Sequence, residues 1–383
     1  MTIQAVLASD NHFDPSAVIF GSARLDRKKD HLRCLEEVVE YAKKNKPDLF
    51  LISGDLFDVI RPGNWIRARL MQDFRDLHEA GISIFMVSGH HDTPKSIEEG
   101  VSPLAVYGNS GNAVYFENPV SSAFYSLEVD NRSVHMFGVG YNPFLGPMED
   151  PLSKVLMKPP EGVNILLTHY PIEGFSGYTG EEPSIRLSSI PGSFNLVAAG
   201  HFHNHQAKVV GGTEIIYPGS TERASFSEEE EEKGFVWAEI EEDGGVYFDF
   251  VKTSARPFKT LRLDFPEEGD PTELLRGKIS DVVDQQLVLR VKLGGKVPVD
   301  RLAAYRRPQL LSFAQGKFFH FSIEEEFDIE VPQLLEALPR TTPLGELRRY
   351  FEKMMSSADE EERRILEEAR KLSEGKLEEA GAW

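Results

Sequence analysis

Apolar and β-branched residues gather in short runs at Ile3–Ser9, Asp48–Ser53, Ile82–Ser88, Val163–Thr168 and Phe194–Ala199. Runs of about four to eight such residues predict buried strands. Helix-length segments, Arg27–Lys46 and Pro62–Ala80, separate the first three runs. The alternation of strand and helix predicts an α/β fold with a largely parallel sheet, whose functional loops collect at the strands' carboxyl ends.

Further along, Gly234–Ile240 and Val246–Val251 flank Asp243-Gly244-Gly245 and predict an antiparallel hairpin. A domain boundary is expected near Ser254–Pro257. Beyond it, Leu261, Leu263 and Phe265 alternate with polar residues, as do Leu287, Leu289, Val291 and Leu293, with short helical pieces between. From Val331 the chain turns to helix formers. Leu344, Leu347, Phe351 and Met354, then Ile365, Leu366, Ala369 and Leu372, fall at helical spacing. The resulting domain expectation is 1–255, 256–328 and 329–383.

Each of the five early runs ends in residues that bind metals: Asp10-Asn11-His12, Gly54-Asp55, Gly89-His90-His91-Asp92, Thr168-His169 and Gly200-His201-Phe202-His203. Taken singly they are weak, since a lone histidine at a strand end is more often a turn or hydrogen-bonding residue. Together, at the ends of strands that a parallel sheet aligns, they predict one site. His201 and His203 alternate as a strand would place them, on the same side. Gly54, Gly89 and Gly200 precede ligand candidates where tight turns and close backbone approach are needed. Seven candidates (Asp10, His12, Asp55, His90, His169, His201 and His203) suit two divalent ions better than one, because a single catalytic ion usually takes about three protein ligands. Carboxylate and imidazole without thiolate argue for manganese, iron or zinc in hydrolysis rather than a structural zinc finger. Two ions roughly 3.5–4 Å apart can hold a bridging hydroxide and both oxygens of a phosphoryl displacement.

The order Asp-x-His, Gly-Asp, Gly-x-His-Asp, His, Gly-His-x-His resembles the calcineurin-like metallophosphoesterases over roughly residues 1–255. Gly54-Asp55-Leu56-Phe57-Asp58, Arg61-Pro62 and Tyr217-Pro218-Gly219-Ser220-Thr221-Glu222-Arg223 resemble the SbcD-type DNA-repair nucleases within that superfamily. The resemblance implies a four-layer α/β/β/α sandwich with a small α+β capping domain and a helical tail. It implies that Asp10, His12 and His203 hold one ion, His169 and His201 the other, with Asp55 between them. His91 would stabilise the transition state or protonate the leaving oxygen, and Asp92 would orient a neighbouring ring. Arg61 and Arg223, inside the matched segments, become candidate DNA contacts.

The family has asparagine where this chain has His90. Either this imidazole ligates, the favoured reading, and metal preference moves from manganese toward iron or zinc, or it misses the ion and weakens the second site. Asp14 departs from the pattern as well and is expected to be a solvated loop residue. His205 is expected no nearer the ions than their outer surroundings.

The chain has 383 residues, enough for two or three domains. Its one cysteine, Cys34, excludes an internal disulfide framework, fits a reducing compartment and is expected to be a buried thiol. No signal peptide is visible, and no stretch nears the roughly 18 apolar residues a membrane span requires, so a cytoplasmic protein is expected. Lys plus Arg number 42 against 62 for Asp plus Glu, a formal net charge of −20. That opposes tight unaided grip on duplex DNA, although bound cations and a partner could offset it. The run Ser227–Glu232 reads as a solvated loop.

The functional expectation is a manganese-dependent exonuclease or endonuclease acting on double-stranded DNA ends and hairpins in double-strand-break repair. Its C-terminal helices either pack on their own domain or dock on an SbcC-type coiled-coil ATPase. A homodimer through Pro62–Ala80 and Ser96–Tyr107 follows from the resemblance. Two alternatives stand: a phosphodiesterase for small substrates, and a non-catalytic subunit that anchors the ATPase.

Overall fold

A computed structural model describes residues 2–117, 124–155, 157–330, 342–356 and 358–379. The start of the predicted tail, 331–341, lies outside them. By internal packing the chain divides into two compact units. One comprises Met1–Leu263, Arg276–Lys292 and Pro308–Glu324, the other Asp264–Leu275, Leu293–Arg307 and Glu325–Trp383.

The first unit is built on two six-stranded sheets. The first sheet takes β1 (Ile3–Ala8), β2 (Leu49–Ser53), β3 (Ser83–Val87) and β4 (Val114–Tyr115), all parallel, and is extended from β1 by the hairpin. The second contains β5 (Tyr125–Val129), β6 (Arg132–Val139), β7 (Val163–His169), β8 (Leu196–Gly200), β9 (Gln206–Val210) and β10 (Thr213–Tyr217), in the order β5-β6-β7-β8-β10-β9. The hairpin strands are β11 (Gly234–Ile240) and β12 (Val246–Lys252), antiparallel as predicted. The five predicted strands are all present within two residues of their expected ends. Pleating then fixes the packing, because alternate residues of one strand face opposite sides.

Ala5 and Leu7 of β1, with Leu49, Leu51, Phe85 and Val87, meet Ile165, Leu167, Leu196 and Ala198 in a core between the sheets. Val6, Ala8, Phe50, Ile52 and Met86 face the other way, toward α1 (Arg24–Asn45) and α2 (Asn64–Glu79). These helices present Leu35, Val38 and Val39, and Ile66, Leu70, Phe74 and Leu77, at the spacing of one helical face. The outer face of the second sheet, Phe137, Leu166, Val197, Ile215 and Tyr217, is covered by loop residues such as Tyr170, Ile172, Phe175 and Ile185, with short 3-10 turns in these loops. Apolar surface sheltered this way contributes about 25 cal/mol per Å².

Past the hairpin, Phe258–Asp264, Val288–Gly294 and His320–Glu325 form a three-stranded sheet. Arg256 grips the Asp30 carboxylate through two nitrogens and lies over the Phe319 ring at 3.5 Å. In the second unit, Phe265 packs edge-on against Tyr305 and Phe327, and Lys296–Pro298 pairs with Asp328–Glu330. Helices Pro343–Ser356 and Glu360–Glu379 pack on each other, joined by Arg348 to Glu374 at 3.0 Å. Asp359 caps the second helix, accepting from the backbone amides of Glu361 and Glu362. Among the described residues no helix is long and apolar enough to cross a membrane.

Candidate metal centre

The ligand candidates sit where β1, β2, β3, β7 and β8 end, so the two facing sheets each supply part of one cluster. Backbone hydrogen bonds zip the first two loops together: Asp10 N to Gly54 O (3.1 Å), His12 N to Asp55 O (3.0 Å) and Phe13 N to Leu56 O (2.9 Å). Asp10, His12 and Asp55 each take a left-handed backbone (φ 51°, 47° and 48°), which β-carbons disfavour and which concentrates at functional sites. Of the three predicted glycines only Gly54 has a positive φ, 91°. All three serve close approach: a β-carbon at Gly54 would lie 2.4 Å from His169 Nδ1, at Gly89 2.2 Å from Asp55 Oδ1, and at Gly200 2.1 Å from Ser53 O.

The donors form four overlapping groups. Asp10, His12 and His203 offer atoms all within 4.8 Å of one another, and so do His12, Asp55 and His91, then Asp10, Asp55 and His169, and then His90, His169 and His201. Asp55 stands between the first and the last. Its Oδ1 accepts the His91 amide at 2.8 Å. Its Oδ2 lies 3.0 Å from His90 Nδ1, 3.2 Å from His169 Nε2 and 4.0 Å from His12 Nε2. That oxygen is buried against these ring nitrogens without an aligned hydrogen bond, a costly state for a carboxylate unless positive charge lies beside it. His12 Nε2 and His203 Nε2 approach to 3.0 Å. Imidazole and carboxylate donors converging at this spacing fit divalent ions.

The same crowding shapes the electrostatics. Burial pulls His169 down, but the Asp55 and Asp10 carboxylates override it and push it up to about 10. Burial would raise Asp55, yet its histidine neighbours, His169 foremost, hold it well below the ordinary range. The two carboxylates thus favour positive charge at His169, the charge a divalent cation would supply.

Several residues outside the predicted set orient the rings. His203 Nδ1 meets Glu228 Oε1 at 2.9 Å, and Lys233 meets the other oxygen at 2.8 Å. Burial would raise Glu228, but the His203 hydrogen bond and Lys233 bring it to about 2. Glu228 belongs to the run expected to be a solvated loop. It is instead buried, and nothing in a row of glutamates distinguishes it. Asp58 Oδ1 lies 3.2 Å from His12 Nδ1 and 3.3 Å from His91 Nδ1, so one carboxylate serves two rings. Its place in the Gly54–Asp58 segment was the available signal. His169 Nδ1 faces the Ser53 carbonyl at 2.8 Å. Such partners fix tautomer and ring orientation. His91 is half-exposed over the cluster, with its ring centroid 4.8 Å from that of His12.

Three further expectations are corrected, and that for His205 holds. Asp92 orients no ring through a hydrogen bond: its Oδ1 accepts the Gly89 amide (2.7 Å) and its Oδ2 the amides of Leu56 (2.9 Å) and Phe57 (3.3 Å). It staples two ligand loops together, and burial followed by the Asp55 charge pushes it up to about 7. Arg223 is spent on backbone carbonyls of Glu228, Arg256 and Glu231 at 3.2, 3.1 and 2.7 Å, leaving its guanidinium little capacity for a phosphate. Asp14 is part-buried, accepting the Gly63 amide at 2.8 Å and pairing with Lys28. His205 stays away from the cluster, bonded to the Tyr217 carbonyl at 2.9 Å and stacked on Phe250. Arg61 is exposed and reaches the Glu98 carbonyl at 3.1 Å.

The Tyr217–Arg223 segment supports the first loop from beneath. Thr221 accepts from Asn11 (3.1 Å), and buried Glu222 faces Arg27 at 3.3 Å and the Cys34 thiol. Cys34 is buried as expected, and burial with the Glu222 charge raises its pKa.

Comparison with known proteins places this geometry. The chain is similar over 92% of its length to a DNA double-strand break repair protein Mre11 of Sulfolobus acidocaldarius, at 23% identity and covering 92% of that protein. It is 29% identical to the protein of the same name from Methanococcus maripaludis, covering 63% of this chain and 64% of that one. With a component of the nuclease SbcCD of Staphylococcus epidermidis it shares 25% identity, covering 69% of this chain and 71% of the relative. The model of the calcineurin-like phosphoesterase family matches residues 4–205, a span holding all seven ligand candidates, and the chain belongs to that family.

Proposed function

We propose that this protein is a metal-dependent DNA nuclease that hydrolyses phosphodiester bonds at double-stranded ends and hairpins in double-strand-break repair. The observation that carries the chemistry is Asp55 Oδ2, buried and set between two groups of converging donors, 3.0 Å from His90 Nδ1 and 3.2 Å from His169 Nε2. The DNA assignment is supported by the similarity to proteins named for break repair and nuclease activity. Asp10, His12 and His203 would hold one ion, and His90, His169 and His201 the other, with Asp55 shared. Bound divalent cations, manganese in this reading, would lower the pKa of water and offset charge on phosphoryl oxygens.

The protein's own contribution is positioning. Asp58 and Glu228 hold His12 and His203, and Asp92 fixes the loops that carry Asp55 and His91. His91, half-exposed above the donors, faces an incoming phosphodiester. It donates to a phosphoryl oxygen as charge develops there, or protonates the leaving oxygen, with Asp58 holding the ring.

The net charge of −20 leaves part of the DNA grip to a partner, an SbcC-type ATPase docked on the C-terminal helices. Arg61 remains a candidate phosphate contact. Exposed Trp65, Ile97, Val101 and Val106 support a homodimer through the α2 face and the segment after β3. The proposed domain limits are 1–255, 256–328 and 329–383.

The test is manganese-dependent cleavage of end-labelled duplex and hairpin DNA, beside His91→Ala and with bis-p-nitrophenyl phosphate as a small substrate. DNA cleavage lost in the variant supports the nuclease. Turnover of the small diester alone, with or without the ATPase, would replace it by the phosphodiesterase that the acidic surface favours.

A further inference from the structure

The two donor groups differ in composition and tightness. Around the first, only His12 Nε2 and His203 Nε2 are close, at 3.0 Å; Asp10 Oδ1 stands 3.9 Å from His203 Nε2, and Asp55 Oδ2 stands 4.0 Å from His12 Nε2. Around the second, His90 Nδ1, His169 Nε2 and Asp55 Oδ2 form a triangle with sides of 3.4, 3.0 and 3.2 Å. Ligands about 2.0–2.2 Å from one ion, at angles near 90–110°, lie about 3.0–3.5 Å apart, so these are the edges of a coordination shell. His201 closes the group, its ring centroid 5.4 Å from that of His90.

One more carboxylate borders this group through His201. Glu182, on the long loop between β7 and β8, places Oε1 at 3.3 Å from His201 Nε2, again the spacing of two ligands on one ion. It is half-exposed at the solvent side and belongs to none of the five strand-end clusters. The second group thus offers three imidazoles, the shared Asp55 oxygen and an outer carboxylate. The first offers the His12 and His203 imidazoles with the Asp10 and Asp55 carboxylates, and the His91 ring lies within reach of His12 and Asp55.

Resting on the dinuclear reading above, we propose that the second site selects a borderline ion, zinc or ferrous iron, over manganese, with His90 as its third imidazole and Glu182 as its closing carboxylate. Imidazole favours zinc and iron, and manganese stands lowest in the divalent affinity order. The more oxygen-rich and open first site exchanges its ion freely. The centre is therefore of mixed metals, with one ion retained through purification and one taken from solution.

The experiment strips the full chain with chelator and reloads it with one equivalent of zinc in tenfold excess of manganese. After desalting, metals are counted by mass spectrometry. The wild type is expected to keep about one zinc per chain. His90→Asn, which retains an oxygen donor, should lose zinc retention by about 10–100-fold, and Glu182→Gln by less in the same direction. Cobalt(II) absorption gives a second readout. Visible bands of a nitrogen-rich site should appear in the wild type and fade in His90→Asn, with unchanged circular dichroism excluding misfolding. Manganese in both sites of the wild type, or zinc retention unaffected in a folded His90→Asn, overturns the proposal. Neither readout involves DNA, so failure of the nuclease reading shows only in cleavage and failure here only in metal content.

Discussion

The metal centre and the C-terminal helical pair are the two regions to which function is assigned, and they are stabilised in opposite ways. At the centre, Asp10, Asp55, Asp92 and His169 are buried, and each is held by groups from other loops. Among the described residues of the helical pair only Phe351 is buried, while Tyr350, Met354, Ile365 and Leu372 stay exposed, Leu372 at 73%. The first region is specified by its own contacts. The second has an amphipathic pattern that its described surroundings do not consume, as a helix awaiting a partner surface would. Changes at the centre should therefore act on the isolated chain, and changes on the exposed stripe only when a partner is present.

The largest effect is expected for Asp55→Asn. It removes the charge shared by both donor groups, so metal binding should fall by more than the 10–100-fold typical of an outer orienting residue. Metal counting after desalting checks this. A variant that still binds two ions would place the shared ligand elsewhere. His91→Ala comes next. It should lower DNA cleavage by about 10²–10⁴-fold and metal content far less than Asp55→Asn does, because Asp58 holds the His91 ring while Asp55 receives the His91 backbone amide.

The five strand-end clusters were readable because burial forces apolar runs and a parallel sheet aligns their ends; Ile3–Ala8 and Val163–His169 come from opposite sheets, yet their following residues meet. That two sheets rather than one contribute came from the resemblance and not from the strand pattern, since Tyr125, Leu127 and Val129 mark a strand without saying which sheet it joins. The orienting residues were less readable. Glu228 is one of five consecutive glutamates, and only its tertiary position beside His203 and Lys233 separates it from its solvated neighbours. Arg223 misleads for the complementary reason: a basic residue in a matched segment has no sequence mark telling phosphate from backbone carbonyl. Glu182 lies on a loop with no periodicity at all.

Glu228→Gln sharpens the comparison at intermediate size. The amide can still contact His203 but carries no charge, so affinity for the first ion should fall by about 10–100-fold. The stability effect has a defined sign. Glu228 sits at about 2 in the fold against an ordinary 4.5. Its contribution is therefore fully present above pH 4.5 and lost as pH falls through about 2, on the order of 3 kcal/mol over that window. Thermal melts of the metal-free wild type and variant should converge as pH drops from 5 toward 2. Curves that stay parallel would mean that Glu228 is not ionised by its neighbours.

The smallest effect on the isolated chain is expected on the helical pair. Leu372→Ser removes an apolar side chain that water already reaches, so little burial is lost. Exposed substitutions of this kind usually change stability by less than about 0.5 kcal/mol, and the two melts should nearly coincide. Binding is a different matter. Anchors of an amphipathic helix in a groove carry an uneven share of affinity, and truncation commonly costs more than about 1 kcal/mol, roughly fivefold or more in Kd. Titration of the full chain with an SbcC-type coiled-coil fragment should show that loss in Leu372→Ser, and more when Ile365→Ser is added. If instead the variant melts lower and binds as well as the wild type, the stripe packs on its own chain, and the contrast between a self-specified centre and a partner-specified tail is broken.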